Sequence, residues 1–374
     1  LIKKILLGVV WLTAAAAIYG QTSLSGTLDS TLNYTFLADS PHNSFGLQEF
    51  ANIRLRIKTG DYGSIYAAFN AAAVTGNFAA NPSYIQGENY AAVLEPERLY
   101  FRVNGDYVDA EAGLLRLNFG YGQVWGPSDF LTSRSPLSAN ARPRGVLGLD
   151  FSVYPTDTMK LLFFAAAPKS PAQITGGGYT PGLTLDKHWD MASLQLLYSY
   201  QTPLAGFDYG LHMFGFSLKA DLEVGLVADA LYVLNTAAPD GIEGLSASAG
   251  FDYSFLGGDF YTLWEYLYSG SASVSSASGY GTGVLLNHHY LYGSLIYRIN
   301  DYTRTGISSV YCFDSPSFFN SAFIQYEIYQ GFTLSLNLRL PADMLISGGA
   351  KNGELGPVKA GYRFSMDIGA GLRF

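Results

Sequence analysis

Tyr362-Arg363-Phe364-Ser365-Met366-Asp367-Ile368-Gly369-Ala370-Gly371-Leu372-Arg373-Phe374 is the stretch whose alternation decides how the rest of the chain is read. Successive side chains of an extended strand point to opposite faces. Tyr362, Phe364, Met366, Ile368, Ala370, Leu372 and Phe374 therefore share one face, and Arg363, Ser365, Asp367, Gly369, Gly371 and Arg373 share the other. The same period recurs in Phe332, Leu334, Leu336, Leu338 and Leu340 opposite Thr333, Ser335, Asn337 and Arg339, and in Ile53, Leu55 and Ile57 opposite Arg54, Arg56 and Lys58. It appears again in Leu99, Phe101 and Val103 opposite Arg98, Tyr100, Arg102 and Asn104. Each is a strand with one apolar and one charge-bearing face.

Which face meets water follows from composition. The chain has 374 residues, 48% of them hydrophobic and only 14% charged, with 42 Gly and 28 Tyr. Charge this sparse means that much of the surface does not face water. A secreted β-sandwich, β-helix or propeller would keep its outward strand faces polar, and no 40–50-residue propeller repeat is visible. With 22 basic against 30 acidic residues, no basic surface stands ready for phosphates. The single Cys, Cys312, excludes an intramolecular disulfide framework.

Residues 1–20 read as an export signal: Lys3 and Lys4 precede an apolar run from Ile5 to Ala17, with small residues before a cleavage site near Gly20. The mature chain, 21–374, has no run of 18 or more mainly apolar residues, which excludes a bundle of membrane helices. Strands are expected near 23–38, 47–58, 62–75, 97–104, 108–118, 146–154, 158–167, 190–201, 207–217, 221–234, 243–255, 259–268, 288–299, 303–312, 318–328, 332–340 and 360–374. Many run to 9–13 residues, long enough to cross a bilayer when tilted. Long connections are expected at 76–96, 119–145, 168–189, 269–287 and 341–359.

The expected fold is all-β, a closed antiparallel transmembrane barrel over 21–374, because open sheet edges are not tolerated in hydrocarbon. Long connections should share one rim, but their parity flips between 190 and 234, so one strand there is split or missed. Closure demands an even number. Sixteen strands are expected, with 18 and 14 as alternatives.

The terminal strand, ending Gly369-Ala370-Gly371-Leu372-Arg373-Phe374, resembles the C-terminal assembly signal of bacterial outer-membrane β-barrels. That resemblance implies recognition of Leu372 and Phe374 by the barrel assembly machinery. A second segment, Leu115-Arg116-Leu117-Asn118-Phe119-Gly120-Tyr121-Gly122-Gln123-Val124-Trp125-Gly126-Pro127-Ser128-Asp129-Phe130, is similar to a strand and Gly-rich turn of certain large outer-membrane porins. Trp125, Pro127 and Asp129 match that pattern, whereas Gly126 and Ser128 depart from its commonest form. The resemblance implies a porin-like protein of the outer membrane and leaves room for a homo-oligomer. Independently of it, Gly120, Gly122, Gly126 and Pro127 favour a sharp turn. The segment would be either a constriction loop anchored by Trp125 or a compact loop packed on the rim.

Between residues 54 and 144 there are nine basic and eight acidic residues, a balance of +1; the rest of the mature chain has 11 basic and 22 acidic, a balance of -11. An Arg facing mid-bilayer lipid costs roughly 2–4 kcal/mol. Arg54, Arg56, Arg98, Arg102 and Arg116 are therefore expected in the lumen, with Glu223, Asp229, Glu265, Glu327 and Asp367 as the opposite wall. Such opposed walls would select polar solutes by charge, or else close the barrel with salt bridges. The many Tyr residues fit interface belts.

Function then divides between a channel for small hydrophilic solutes and a non-channel surface barrel, an adhesin or structural anchor. No enzyme is expected: His42, His188, His212, His288 and His289 are scattered, and no Gly-x-Ser-x-Gly, His-Glu-x-x-His or phosphate-loop pattern is present. No cofactor or structural metal is expected either. The expected partners are outer-membrane lipid and small solutes.

Overall fold

A computed structural model describes residues 22–38, 43–76, 85–86, 90–132, 145–168, 177–203, 209–235, 244–270, 285–343 and 353–374. The expected signal at 1–20, and Arg134, Arg142 and Arg144, lie outside the described residues.

Eighteen antiparallel strands form the wall: β1 (Thr22–Leu37), β2 (Asn43–Lys58), β3 (Gly63–Gly76), β4 (Ala91–Asn104), β5 (Val108–Leu115), β6 (Val146–Thr156), β7 (Met159–Ala166), β8 (Thr180–His188) and β9 (Ala192–Gln201) make one half. The other half is β10 (Leu211–Asp221), β11 (Gly225–Asn235), β12 (Leu245–Phe255), β13 (Phe260–Ser269), β14 (His289–Asn300), β15 (Thr303–Cys312), β16 (Ser317–Tyr329), β17 (Phe332–Asp343) and β18 (Tyr362–Arg373). A two-residue piece, Ile85–Gln86, pairs only with Ala91 and Ala92. Each strand pairs with its sequence neighbours, and β1 pairs with both β2 and β18, so the sheet closes and leaves no edge.

The count corrects the expectation of 16 strands. The missed strand is β8, which the sequence reading placed inside a long loop at 168–189, just ahead of the region where the parity conflict was expected. Its opening Pro181-Gly182 disfavours a strand on local grounds, and only Leu183 and Leu185 carry its apolar phase. Pairing of β8 with both β7 and β9 supplies what the local sequence lacks.

With β8 in place the parity is consistent. The connections after even-numbered strands, 59–62, 105–107, 157–158, 189–191, 222–224, 256–259, 301–302 and 330–331, have two to four residues. The long connections after β3, β5, β7, β13 and β17 all leave from the opposite, outer rim. The inner rim carries the short turns and the two ends of the β1–β18 seam.

The two faces of the wall follow the sequence alternation. On one phase, Leu28, Leu32, Leu99, Phe101, Leu149, Phe216, Ile324 and Ile368 are exposed; on the other, Asn52, Asn70, Ser217, Asp229, Glu265 and Asp367 are buried. Only hydrocarbon solvates the first phase favourably, which makes this a transmembrane barrel with a polar interior. Tyr34, Phe36, Phe45 and Phe364 cluster on the outer phase near the outer rim as part of an aromatic belt.

At the seam, the Gly26 N–H donates to the Phe374 carbonyl at 2.8 Å and the Phe374 N–H donates to Gly26 at 3.1 Å. A Cβ on Gly26 would come within 2.7 Å of the Phe374 ring, so the missing side chain lets the last residue close over the first strand. Leu372 and Phe374 are exposed on the outer phase with Ile368.

This topology predicts that a cysteine at Tyr90 (Y90C) is labelled by an impermeant thiol reagent on intact cells, whereas E223C is labelled only after the outer membrane is breached. The reverse pattern would invert the barrel.

Candidate functional site

An eighteen-stranded wall is too wide for its own side chains to fill, and part of the interior here is filled by chain instead. After Leu115 the segment Arg116–Thr132 turns inward from the outer rim and lies against the polar phase of the wall. Its apolar residues Leu117, Phe119, Phe130 and Leu131 join a buried cluster with Leu162, Phe164, Leu197, Met213, Leu231 and Val233. An apolar core thus sits inside the barrel, between loop and wall.

Polar contacts set the loop's register. The Gly120 N–H donates to Gln195 Oε1 at 2.6 Å and the Tyr121 N–H to Ser217 Oγ at 2.8 Å. Three consecutive N–H groups converge on one side chain: Gln123 and Val124 on Glu265 Oε2 at 3.1 and 3.0 Å, and Trp125 on Glu265 Oε1 at 2.9 Å. The Trp125 indole N–H reaches the Glu265 carbonyl at 3.3 Å, and Ser128 Oγ donates to Asp229 Oδ1 at 2.5 Å. Gly120 has φ +78°, and a Cβ there would lie 2.1 Å from Asp229 Oδ2, so only glycine passes this close to the wall.

Within the loop, Asp129 ties the start to the end by accepting the backbone N–H groups of Phe119 and Thr132. Burial pushes its carboxyl up to about 6, against the opposing pull of the Thr132 hydroxyl, those amides and Arg116. Pro127 lies in the tight turn in which the Asp129 N–H donates to the Gly126 carbonyl at 2.9 Å.

A second inward piece meets the first. Leu355 is buried beside Trp125, Tyr290 and Cys312, and the Trp125 and Tyr290 ring centroids are 5.9 Å apart. Glu354 holds this piece by accepting from the Tyr290 hydroxyl at 2.5 Å, the Asn287 side-chain amide at 2.5 Å and the Leu286 N–H at 2.7 Å. Glu354 carries no signal of this anchoring role in the sequence, because its partners come from elements far away in the chain.

The wall of β2–β4 carries the basic groups. Asn52, fully buried, donates to Asn70 Oδ1 at 2.6 Å and Glu97 Oε2 at 2.7 Å, and accepts Arg54 Nε at 2.6 Å. Arg98 lies 3.2 Å from Glu97 and 5.2 Å over the Tyr66 ring. Arg102 lies 3.3 Å from Asp109 and 3.2 Å from Glu111. Arg56 is exposed on the same phase and has no carboxylate partner among the described residues. This amide network was not foreseen, although Asn52 and Asn70 on the polar phase of adjacent strands were a visible signal.

The acidic candidates separate. Asp229 and Glu265 hold the loop. Asp367 pairs with Arg339 and accepts from Asn33 at 2.5 Å. Glu327 accepts the N–H of Gly331 at the inner rim at 3.0 Å, and Glu223 is exposed in the turn 222–224 instead of standing on a wall strand. Arg116 sits at the base of the loop and donates from Nε to Asn118 Oδ1 at 2.8 Å. In the inner half of the barrel a cavity of about 900 Å³ remains, lined by Asp29, Arg298, Asp301, Arg304, Glu327 and Arg373 among others. No group of three or more His, Cys, Asp or Glu side chains among the described residues could hold a metal ion.

No family model and no curated protein matches the sequence. Solved structures do share the fold. Acinetobacter baumannii OccAB1 has a TM-score of 0.59 at 10% identity, covering 95% of this chain and 97% of that one. Pseudomonas aeruginosa OccK9 (OpdG) has 0.57 at 9% identity, covering 95% and 99%, and the P. aeruginosa outer membrane protein OpdK has 0.54 at 9% identity, covering 94% and 98%.

Because Glu265 alone receives three loop amides, and a hydrogen bond to a charged group contributes about 1.5–3 kcal/mol, E265A should free the loop without opening the barrel. Hydrogen exchange at residues 120–125 should accelerate at least ~10-fold, with wall-strand amides unchanged.

Proposed function

We propose that this protein is a channel of the bacterial outer membrane through which small hydrophilic solutes diffuse passively. One observation carries the reading: a closed barrel, apolar outside and polar inside, with the loop Arg116–Thr132 pinned into its interior and a cavity of about 900 Å³ lined by polar and charged side chains at the inner rim. The description of OpdK, which shares the fold, as an outer membrane protein supports the location. A barrel that served only as an anchor would need neither a polar interior nor a loop held by buried carboxyl groups.

Within this reading, Trp125, Pro127 and Asp129 belong to the constriction, and the arginines of β2 and β4 supply its positive side. Among the described residues, Arg98 and Arg102 lie beside carboxylates, whereas Arg54 meets an amide and Arg56 has no carboxylate partner. Arg54 and Arg56 therefore carry the net field. At the seam, Leu372 and Phe374 would present the last strand to the barrel assembly machinery before the strand pairs with β1.

Replacing Arg54 and Arg56 together with Gln should shift permeability toward cations by roughly threefold at 0.1 M salt and far less at 1 M, where the Debye length is only about 3 Å. The reversal potential across a salt gradient in planar bilayers measures this. Absence of any conductance from folded wild-type protein would instead favour the sealed surface barrel.

Replacing Phe374 with Ser should lower the yield of folded barrel, read as heat-modifiable gel mobility, more than it alters conductance per folded molecule. An unchanged yield would remove the assembly role.

A further inference from the structure

The outer end of the β1–β18 seam breaks the alternation that the terminal strand otherwise keeps. Phe36 pairs with Phe364, but Leu37 pairs with Tyr362, so Arg363 is the extra residue of a β-bulge. A bulge bends its strand and re-aims the side chains around it. Here it exchanges two of them. Tyr362, expected on the outer phase, comes within electrostatic range of the luminal Arg339 and Asp367. Arg363, expected on the luminal phase, places its guanidinium 5.8 Å from the centroid of the Phe36 ring on the lipid-facing phase.

That ring belongs to a platform. Phe36 and Phe364 stack with centroids 5.8 Å apart and an interplanar angle of 14°, and Tyr34 packs on Phe364 and Phe45 at 5.6 and 4.9 Å. Contact with Phe36 engages one face of the guanidinium and leaves its N–H edge free. Arg363 is exposed, and its side chain has no hydrogen-bond or carboxylate partner among the described residues. Lys359 stands four residues earlier on a single helical turn, α1 (Pro357–Ala360), which Gly361 ends at φ +77°. It too is exposed and has no carboxylate partner among the described residues. The chain just before this turn is fixed, because Leu355 is buried and Glu354 is bonded to Tyr290.

The setting selects a ligand. An aromatic belt marks the headgroup level of a bilayer, where lipid phosphates stand ready as hydrogen-bond acceptors. A guanidinium edge matches two phosphate oxygens, and an ammonium adds a point charge. The chain as a whole has a formal net charge of -8, so two cations without carboxylate partners beside the belt are a local exception. Elsewhere on the belt the polar groups meet one another: His212 bonds to the Tyr198 hydroxyl at 3.0 Å and His289 to that of Tyr266 at 2.5 Å. At the seam the two cations find no such partner.

We propose that Arg363 and Lys359 hold the phosphate of an anionic lipid of the outer leaflet, with an acyl chain lying along Phe36 and Phe364. The free edge of Arg363 donates to two phosphate oxygens, and Lys359 supplies the second charge. The bulge is the device that sets the arginine at headgroup level on the lipid side, where strict alternation would have turned it into the lumen.

Native mass spectrometry of the folded barrel, released from detergent with added phosphatidylglycerol or phosphatidylcholine, counts the lipid that stays bound. A basic group near an anionic lipid contributes roughly fivefold in affinity, so wild-type protein should prefer phosphatidylglycerol about 25-fold, the product of two such factors. R363Q and K359Q should each lower that preference about fivefold, and the double variant should abolish it with unchanged heat-modifiable mobility. R363K should keep most of it. If replacing the bulge residue lowers the folded yield, K359Q, which lies outside the sheet, still decides. Equal binding of the two lipids by wild-type protein, or an unchanged preference in K359Q and the double variant, overturns the proposal. So does displacement of the lipid by inorganic phosphate at equal concentration, which would make this a site for a soluble anion. None of these readouts involves conductance, so the outcome is separate from that of the proposed channel.

Discussion

Hydrogen-bond closure between β1 and β18 is the constraint on which the rest of the structure depends. A strand edge in hydrocarbon leaves unpaired amides and carbonyls that no solvent can satisfy, so the sheet must return to its start. Pairing of Thr27 through Leu37 with Arg373 back to Tyr362 achieves this, and the backbone bonds between Gly26 and Phe374 finish it. Closure then dictates the outside. Once every backbone group is spent in the wall, the outer phase needs only apolar side chains, and the leucines, isoleucines and phenylalanines of that phase meet the need.

The width of an eighteen-stranded ring transfers the packing problem to the interior. The inward loop answers it with two kinds of contact. Leu117, Phe119, Phe130 and Leu131 bury apolar surface against the wall, which resists displacement but sets no direction. Glu265, Asp229, Gln195 and Ser217 receive specific donors of the loop and so set its register. Trp125 joins the two, since its ring packs on Tyr290 while its amide and indole nitrogens bind Glu265. Arg54 and Arg56 on β2 and the charged lining of the inner cavity lie away from these loop contacts.

Charge is redistributed by the same packing. A basic wall facing an acidic wall was the natural reading of the sequence, but the acids of β11 and β13 are covered by backbone amides of the loop. The Asn52, Asn70 and Glu97 network instead positions Arg54 and Arg98 on their own side. The lumen is therefore shaped by which charges remain unpaired, not by the sum over each wall.

Local sequence determined the strand class, the lipid-facing phase and the placement of Arg54, Arg56, Arg98 and Arg102 opposite it, because alternation with period two is a property of neighbouring residues in one extended chain. It also marked 120–130 as a segment of sharp turns through Gly120, Gly122 and Pro127. Tertiary structure alone decided the strand number, since β8, with Pro181-Gly182 at its start, is a strand only because β7 and β9 pair with it. It decided likewise that the glycine-rich segment folds inward: the carboxyl of Glu265 and the amides of Gln123, Val124 and Trp125 lie 140 or more positions apart and meet only when the ring is closed. Periodicity is written within a strand, whereas hydrogen-bond partners across a barrel depend on distances that no single strand contains.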